Sequence, residues 1–218
     1  MQAVGIIVEY NPFHNGHLHH VKEAKCTTNS DVAVAVMSGH FLQRGEPALV
    51  DKWHRTKMAL ASGVDVVIEL PYIFSTAQAT GFASGAVQLL EAMQCTTLAF
   101  GSEQGTIEPF LNTYHLIENN RARYNEIIKE NIQLGKSYPQ ALFIAYEQLK
   151  QLSPNAYIDL GKPNNILGFH YVEAIKQLHC SMQPATVQRI VAGYHDAIDT
   201  NHEIASATGI RQALFSGQ

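Results

Sequence analysis

The amino-acid sequence predicts an α/β protein, in which helices cover a parallel β-sheet. Short apolar, β-branched runs alternate along the chain with segments whose apolar residues recur at helical spacing, and this alternation is typical of parallel sheets. The composition is that of a globular protein, with 46% hydrophobic and 16% charged residues among 218. It excludes disordered, collagen-like and coiled-coil classes.

Five segments are predicted to be strands, and the first of them ends at Asn11-Pro12, because proline cannot donate to a sheet. The predicted strands cover residues 3–10, 32–37, 64–70, 97–100 and 186–191. Helices are predicted from Leu18 onward, at 53–62, 78–93 and 165–178, and from near Ser206 or Thr208. Asp51 and Gly63 are suited to begin and end the helix at 53–62.

The middle of the chain differs from both ends. Residues 107–152 have helical spacing and contain no strand candidate, so an all-helical segment is predicted to interrupt the sheet. The predicted division is an α/β domain of residues 1–105 and 160–218 with a helical insertion of residues 106–159.

Cysteine, hydropathy and charge patterns narrow the class of protein further. The three cysteines, Cys26, Cys95 and Cys180, are far apart and form no CxxC pair, so we expect a reducing, cytoplasmic location and no disulfide framework. The apolar runs are too short for a membrane span, and the first residues lack signal-peptide features. The net charge of -4 argues against an extensive nucleic-acid face, although a local basic patch is compatible with it.

Residues 9–17 (EYNPFHNGH) carry the clearest chemical signal. They place an HxGH unit between the first strand and the first helix, at the end of the sheet where open α/β sheets bind ligands. Gly16 allows the backbone to approach a phosphate, and a helix N-terminus favours an anion. His14 and His17 can donate hydrogen bonds as negative charge develops on a leaving group. This chemistry suits nucleotidyl transfer, which depends on positioned in-line attack at the α-phosphate and needs no protein nucleophile.

Two other interpretations of these histidines stay open on the residues alone. They are also explained as ordinary surface residues of a turn, in a chain with 11 histidines. The nearby His19 and His20 raise the alternative of a zinc site. The sequence supplies no clear third ligand from a separate cluster, so no metal site is predicted.

A second element lies near the other end of the sequence. Residues 204–211 (IASATGIR) place hydroxyl groups at a helix start and Arg211 about one turn inside. Alone, this pattern is better explained by a capped helix with an exposed arginine. Together with the HxGH unit it resembles the ISxTxxR element of nucleotidyltransferases related to class I aminoacyl-tRNA synthetases. That resemblance implies a Rossmann-like sheet of the nucleotidyltransferase type.

Four longer elements make the resemblance more specific. They are residues 8–17, 37–47 (MSGHFLQRGEP), 100–103 (FGSE) and 162–168 (KPNNILG). In this order they resemble the family of bacterial tRNA(Met) cytidine acetate ligases over essentially the whole chain. Members activate acetate with ATP to acetyl-adenylate and pass the acetyl group to N4 of the wobble cytidine of elongator tRNA(Met). They continue into a helical portion that helps hold tRNA, so we expect residues 1–218 alone to hold tRNA incompletely.

The resemblance also implies which residues form the site. His14, His17 and Arg211 are implied to be catalytic, and Mg2+ is implied to accompany ATP. The implied ATP-binding residues are Ile7, Val8, Glu9, Tyr10, Asn11, Pro12, Phe13, His14, Asn15, Gly16, His17, Leu18, His19, His20, Gly101, Asn164, Arg189, Ile190, Ser206 and Thr208. Whether Asn164 or the adjacent Asn165 faces the nucleotide stays open.

Two basic residues are further candidates for contact with substrate. Arg44 lies in a polar, glycine-flanked loop at 38–47 and is expected to touch a phosphate or the tRNA. Lys52 forms a small basic cluster with Arg55 and Lys57, although a solvated helix face explains that cluster equally well. Glu9 and Asp65 are expected to be carboxylates within buried strands.

Rival functions remain compatible with the shared motifs. One is adenylyl transfer to a small phosphorylated coenzyme precursor. Another is a non-catalytic module that binds nucleotide or RNA, against which the acidic net charge weighs. Only the longer resemblance favours acetate as the substrate.

Overall fold

The computed structural model describes residues 1–151, 153–189 and 206–217. Helices alternate with strands in this part of the chain, so the predicted α/β fold is confirmed. The strands are β1 (Ala3–Val8), β2 (Val32–Ser38), β3 (Val66–Leu70), β4 (Thr97–Ser102) and β5 (Gln183–Gln188). The helices are α1 (Asn15–Thr27), α2 (Lys52–Ala61), α3 (Tyr72–Ser75), α4 (Ala79–Ala92), α5 (Glu108–Asn119), α6 (Arg121–Gln133), α7 (Tyr138–Lys150), α8 (Pro163–Gln177) and α9 (Ala207–Ser216).

The strands form one parallel sheet in the order β3-β2-β1-β4-β5. From β1, successive strands are added toward one edge of the sheet, ending at β3. The chain then returns to the other side of β1, where it adds β4 and β5 toward the opposite edge. In open parallel sheets, ligands bind in a crevice at the carboxyl ends of the two strands between which the order reverses, here β1 and β4. The residues that follow β1 and β4 therefore lie together at the end of the sheet where such a crevice is expected.

Side chains of the strands alternate between two buried clusters, one on each face of the sheet. The cluster under α1 and α2 includes Val4, Ile6, Val21, Ala24 and Ala59. The cluster under α4 and α8 includes Val36, Leu90, Leu98, Phe110 and Tyr146. Since Phe110 and Tyr146 belong to α5 and α7, the helical middle of the chain shares this second cluster with the sheet. The division into an α/β domain and a helical insertion stays a prediction.

Several element boundaries differ from the predictions. β1 ends at Val8, and β3 begins at Val66, so Asp65 lies before the strand and is exposed rather than buried within it. The sequence does not predict α3, because four residues are too short for a periodic signal. β5 begins at Gln183 instead of residue 186, and residues 190 and 191 lie outside the described ranges.

The last helix agrees with its prediction. α9 begins at Ala207, and the preceding Ser206 caps it by accepting a hydrogen bond from Gly209 N. None of the described helices is both long and apolar enough to cross a bilayer.

Candidate active site

The chain turns sharply where β1 ends. Tyr10 has φ of +52°, the left-handed region that a tyrosine rarely adopts, and its ring is buried against Phe13 and His17. The side-chain oxygen of the buried Asn11 accepts a hydrogen bond from Leu49 N at 2.8 Å, which ties the turn to the loop before α2. These contacts fix the direction from which the chain enters α1.

Two histidines cap the start of α1. His14 Nδ1 accepts a hydrogen bond from Gly16 N at 3.0 Å, and His17 Nδ1 accepts one from His14 N at 3.3 Å. Because each Nδ1 is an acceptor, a neutral ring carries its hydrogen on Nε2, on the opposite side from the backbone. The two ring centres are 3.8 Å apart, so a pair of Nε2–H donors lies at one helix N-terminus.

This capping arrangement corrects the predicted start of α1. α1 begins at Asn15 rather than Leu18, because histidines serve here as capping residues in place of the usual Ser, Thr, Asp or Asn. The N–H of Gly16 is bonded to His14 Nδ1. The imidazole Nε2 atoms are therefore the donors that the motif supplies.

Burial keeps three histidines at the start of α1, His14, His17 and His20, neutral. Desolvation by burial, with a smaller effect from the Arg189 charge, lowers the pKa of His14 to about 4. Burial also lowers the pKa of His17 well below its ordinary value, with His14, His20 and Arg189 adding to the effect. His20 has its pKa lowered to about 4 for the same main reason, and its buried Nε2 has no partner among the described residues. At neutral pH these side chains donate as uncharged imidazoles.

A second wall of the crevice is built where β4 and β5 end. Arg189 follows β5, and its Nη1 donates to Asn164 Oδ1 at 3.3 Å. A Cβ at Gly101 would lie 3.3 Å from Arg189 Cγ, so glycine lets the arginine lie over the end of β4. Asn164 Nδ2 in turn donates to Glu103 Oε1 at 2.7 Å. The predicted rim residues Gly101, Asn164 and Arg189 are thus brought together.

The two adjacent asparagines, Asn164 and Asn165, have different contacts. Asn165 is 1% exposed, and its amide is bonded to Ser102 Oγ and to the carbonyl of Asp159. Asn164 is half-buried beside Arg189, and it does not cap α8, whose N-cap is Lys162. Asn164 therefore faces the crevice, and Asn165 serves the interior.

α9 places its N-terminus against the turn after β1. Arg211 Nη1 donates to Asn11 O at 2.7 Å, and its Nη2 donates to Thr208 Oγ1 at 3.4 Å. Arg211 is half-buried rather than solvated. The C-terminal element and the HxGH element, 200 residues apart, are therefore in direct contact.

Arg55 has a different role from the one predicted. It is fully buried rather than part of an exposed basic cluster, and it donates to the carbonyls of Glu9, Ser38, Gly39 and Val50. It thereby joins the ends of β1 and β2 to the start of α2. The sequence gives little indication that Arg55 is buried, because the basic residues Lys52 and Lys57 flank Arg55 and Lys57 is exposed.

The two predicted carboxylates accept backbone hydrogen bonds. Glu9 Oε1 accepts one from Gln43 N at 2.7 Å, and desolvation raises the pKa of Glu9. Asp65 Oδ2 accepts from Ala33 N at 2.8 Å and pairs with Lys25. Glu9 therefore pins the loop that carries Arg44, and Asp65 joins β3 to its neighbours.

The two candidate substrate contacts lie in the chain between β2 and β3. Lys52 Nζ is 2.6 Å from Glu69 Oε2 of β3 and lies over the Trp53 ring. Arg44 is exposed in the loop between β2 and α2. Within the described ranges, no group of three or more His, Cys, Asp or Glu residues could hold a metal ion.

The remaining predicted residues follow from these elements. Ile7 and Val8 close β1, Pro12 and Phe13 form the turn, and Leu18 and His19 continue α1 beside Asn15. Ile190 lies outside the described residues. Sequence reasoning missed Glu103, although the FGSE stretch at the end of a strand was a signal for it.

The family of the chain is defined by its sequence as well as by this fold and site. A family model described as HIGH Nucleotidyl Transferase matches residues 1–218. The chain belongs to the HIGH nucleotidyl transferase family. This confirms the nucleotidyltransferase type predicted from the HxGH unit.

Particular relatives sharpen the comparison. The chain is 62% identical over 216 residues to the tRNA(Met) cytidine acetate ligase of Lysinibacillus sphaericus, covering 99% of this chain and 54% of that protein. It is 54% identical over 217 residues to the protein of the same name from Bacillus subtilis, covering 99% and 52%. The predicted resemblance is thereby confirmed. The chain spans about half the length of these relatives.

Two solved structures are similar to this chain over nearly its whole length. Thermotoga maritima TmcAL bound with alpha-thio ATP matches with a TM-score of 0.84 and 36% identity, over 99% of this chain and 51% of that chain. The apo form of the same protein matches with a TM-score of 0.87, over 100% and 52%.

Proposed function

We propose that this chain is the nucleotide-activating part of an ATP-dependent acetate ligase that acetylates N4 of the wobble cytidine of elongator tRNA(Met). The observation that carries the proposal is the capping pair His14 and His17, found in a chain 62% identical to a protein named tRNA(Met) cytidine acetate ligase. The proposed product is N4-acetylcytidine, reached through acetyl-adenylate.

In the first proposed step, a carboxylate oxygen of acetate attacks the α-phosphorus of ATP. The bond from that phosphorus to the bridging oxygen breaks, and pyrophosphate leaves. The Nε2–H groups of His14 and His17 donate to phosphoryl oxygens while negative charge moves onto the leaving group. Such bonds strengthen in the transition state, so they accelerate the reaction more than they tighten ATP binding.

The N-terminus of α9 is proposed to hold the far end of the triphosphate. A helix N-terminus favours an anion, and Ser206 and Thr208 add hydroxyl groups there. Arg211 has two nitrogens bonded to protein oxygens and keeps further N–H donors for a phosphate. Its contact with Asn11 keeps α9 close to the capping histidines.

Mg2+ is proposed to enter with ATP rather than to reside on the protein. The side chains gathered here are imidazole, amide and guanidinium groups together with the carboxylate of Glu103, and the described residues include no carboxylate cluster suited to a resident ion. An ion carried by the triphosphate would neutralise charge on the departing pyrophosphate.

In the second proposed step, N4 of the cytidine attacks the acetyl carbonyl. The bond to the adenylate oxygen breaks, AMP leaves, and the amine loses one proton. Arg44 and Lys52 are the proposed contacts to the RNA. Lys52 lies over Trp53, whose side chain is 66% exposed, and a cation beside an exposed aromatic ring suits phosphates and unpaired bases.

Exchange of radiolabelled pyrophosphate into ATP tests the first step. We expect exchange that requires acetate. Exchange that requires a small phosphorylated acceptor instead would favour coenzyme-type adenylyl transfer. ATP binding without exchange under any condition would favour a non-catalytic module, and either result would overturn the proposal.

Titration with labelled elongator tRNA(Met) tests the RNA contacts. We expect weak binding by residues 1–218 that falls steeply between about 50 and 200 mM salt, because phosphate contacts release counterions. Lys52→Gln should weaken binding, while Lys129→Gln, on the exposed part of α6, should not. Tight, salt-insensitive binding would place the RNA surface elsewhere.

A further inference from the structure

The end of β4 carries a carboxylate that the proposed chemistry does not use. Glu103 Oε1 accepts the hydrogen bond from Asn164 Nδ2 at 2.7 Å. Its Oε2 atom is buried and has no hydrogen-bond partner among the described residues. A buried acceptor without a donor is costly, so this oxygen is suited to a ligand that brings a hydrogen.

The surroundings of Glu103 indicate which part of a ligand it would meet. Asn164 connects Glu103 to Arg189, and Arg189 lies over Gly101 at the end of β4. α1 packs against β4 and β5, and its first turn follows the carboxyl end of β1, so this wall and the histidine wall lie at the same end of the sheet. If the histidines hold phosphates, the part of the nucleotide that extends toward β4 is the nucleoside.

We propose that Glu103 Oε2 accepts a hydrogen bond from a ribose hydroxyl of ATP. The proposal rests on the proposed ATP-dependent function and adds a residue that recognises the sugar. Carboxylates at the ends of strands bind ribose hydroxyls in other nucleotide-binding sheets, because a hydroxyl is a strong donor to an anionic oxygen. The bond from Asn164 holds the other carboxylate oxygen, so one hydroxyl is recognised.

The test combines nucleotide analogues with a conservative variant. Binding of ATP, 2′-deoxy-ATP, 3′-deoxy-ATP and inosine triphosphate is measured by calorimetry for the wild type and Glu103→Gln. We expect the wild type to lose about tenfold to hundredfold in affinity for one deoxy analogue, as for a hydrogen bond to a charged group. Glu103→Gln should bind ATP more weakly and lose most of that discrimination.

Glu91, at the end of α4 and beside the amino end of β5, offers a matched control. Its Oε1 accepts hydrogen bonds from Ser181, and its Oε2 is buried without a partner among the described residues, as in Glu103. Glu91→Gln should therefore leave every nucleotide affinity unchanged. Equal losses in both variants would mean a general structural effect and would overturn the proposal.

The other outcomes are equally decisive. Unchanged discrimination in Glu103→Gln overturns the proposal, and discrimination lost only against inosine triphosphate assigns Glu103 to the base and also overturns it. A wild type that binds no ATP overturns the proposed function itself. If melting indicates that Glu103→Gln is unfolded, Glu103→Asp replaces it, since the shorter side chain keeps the charge but should lose the same discrimination.

Discussion

The N-termini of α1 and α9 meet at the turn after β1, and their side chains use hydrogen-bonding groups in different ways. At α1, His14 and His17 each bond the backbone with Nδ1 and keep Nε2–H on the other side of the ring. At α9, Ser206 Oγ bonds Gly209 N, and Arg211 bonds Asn11 O and Thr208 Oγ1 through its outer nitrogens.

The difference indicates how one polar side chain can stabilise a helix end and still keep a hydrogen-bond donor for a ligand. Imidazole has two separate nitrogens, so one can cap the helix while the other stays available and uncharged. Arg211 is a permanent cation, and part of its donor set already holds α9 in place. We therefore expect α1 to affect mainly the rate of the reaction and α9 to affect mainly the binding of triphosphate.

The largest expected effect is on the rate, and His14→Asn isolates it. Asparagine is a good N-cap residue, so it should preserve the start of α1 while removing the Nε2 donor. We expect acetate-dependent pyrophosphate exchange to fall on the order of 10²-fold or more with a small change in ATP affinity. His17→Gln should act similarly, because glutamine suits the same capping position.

His14→Ala completes this comparison because it removes both the cap and the donor. Its exchange rate should match that of His14→Asn, while its stability in urea should be lower by about 1 kcal/mol. If His14→Asn keeps wild-type activity and only His14→Ala loses it, the histidine is a cap without a role in turnover.

The second prediction concerns Arg211 and is an effect on binding. Arg211→Ala should weaken ATP binding by about tenfold to hundredfold, as expected for a charge-assisted contact, and should change AMP binding little. Arg211→Lys should retain part of the affinity, because lysine keeps the charge but loses the planar fork. Calorimetry with ATP and AMP measures both.

A neighbouring residue provides the control for Arg211. Gln212 is exposed on α9, so Gln212→Ala should leave nucleotide binding and melting temperature unchanged. Equal weakening of ATP and AMP by Arg211→Ala would point to displacement of α9 from Asn11 instead of a lost phosphate contact.

Much of the fold could be predicted because a strand that is buried on both faces of the sheet has a nearly continuous apolar sequence. The predicted strand at 32–37 differs from β2 by one residue, Ser38. The start of α1 was missed because a histidine cap has no usual sequence signature. α3 was missed because a single turn has no period to detect.

The site was harder to predict, because burial and partner choice depend on tertiary packing. Arg55 resembles its basic neighbours in sequence, yet it is buried and donates hydrogen bonds to the nearby Val50 carbonyl and to three carbonyls from more distant parts of the chain. Asn164 and Asn165 are chemically identical, and only the position of α8 in the folded chain determines which of them lies beside Arg189. The roles of all these residues toward nucleotide and RNA stay predictions.

The smallest expected effect is a dependence of stability on pH that originates in α1. The pKa of His20 is lowered from its ordinary value of 6.5 to about 4, mainly by burial. The unfolded chain therefore takes up a proton near pH 6.5 while the folded chain resists until about pH 4. This contribution to stability is complete above pH 6.5 and is lost progressively as the pH falls toward 4.

His20→Leu should reduce that loss, because leucine has no proton to take up and leaves no unpartnered Nε2 in the interior. Between pH 7 and pH 5, its free energy of unfolding should fall by roughly 1–2 kcal/mol less than that of the wild type. Urea denaturation at the two pH values measures the difference, and His40→Leu, at an exposed position, is the control.

Amide hydrogen exchange should find that acid opens α1 before α9, since α9 carries no histidine between Ala207 and Ser216. If α9 opens first or both variants behave alike, the buried neutral His20 is not the source of the pH dependence. The proposed electrostatic difference between the two helix N-termini is then wrong.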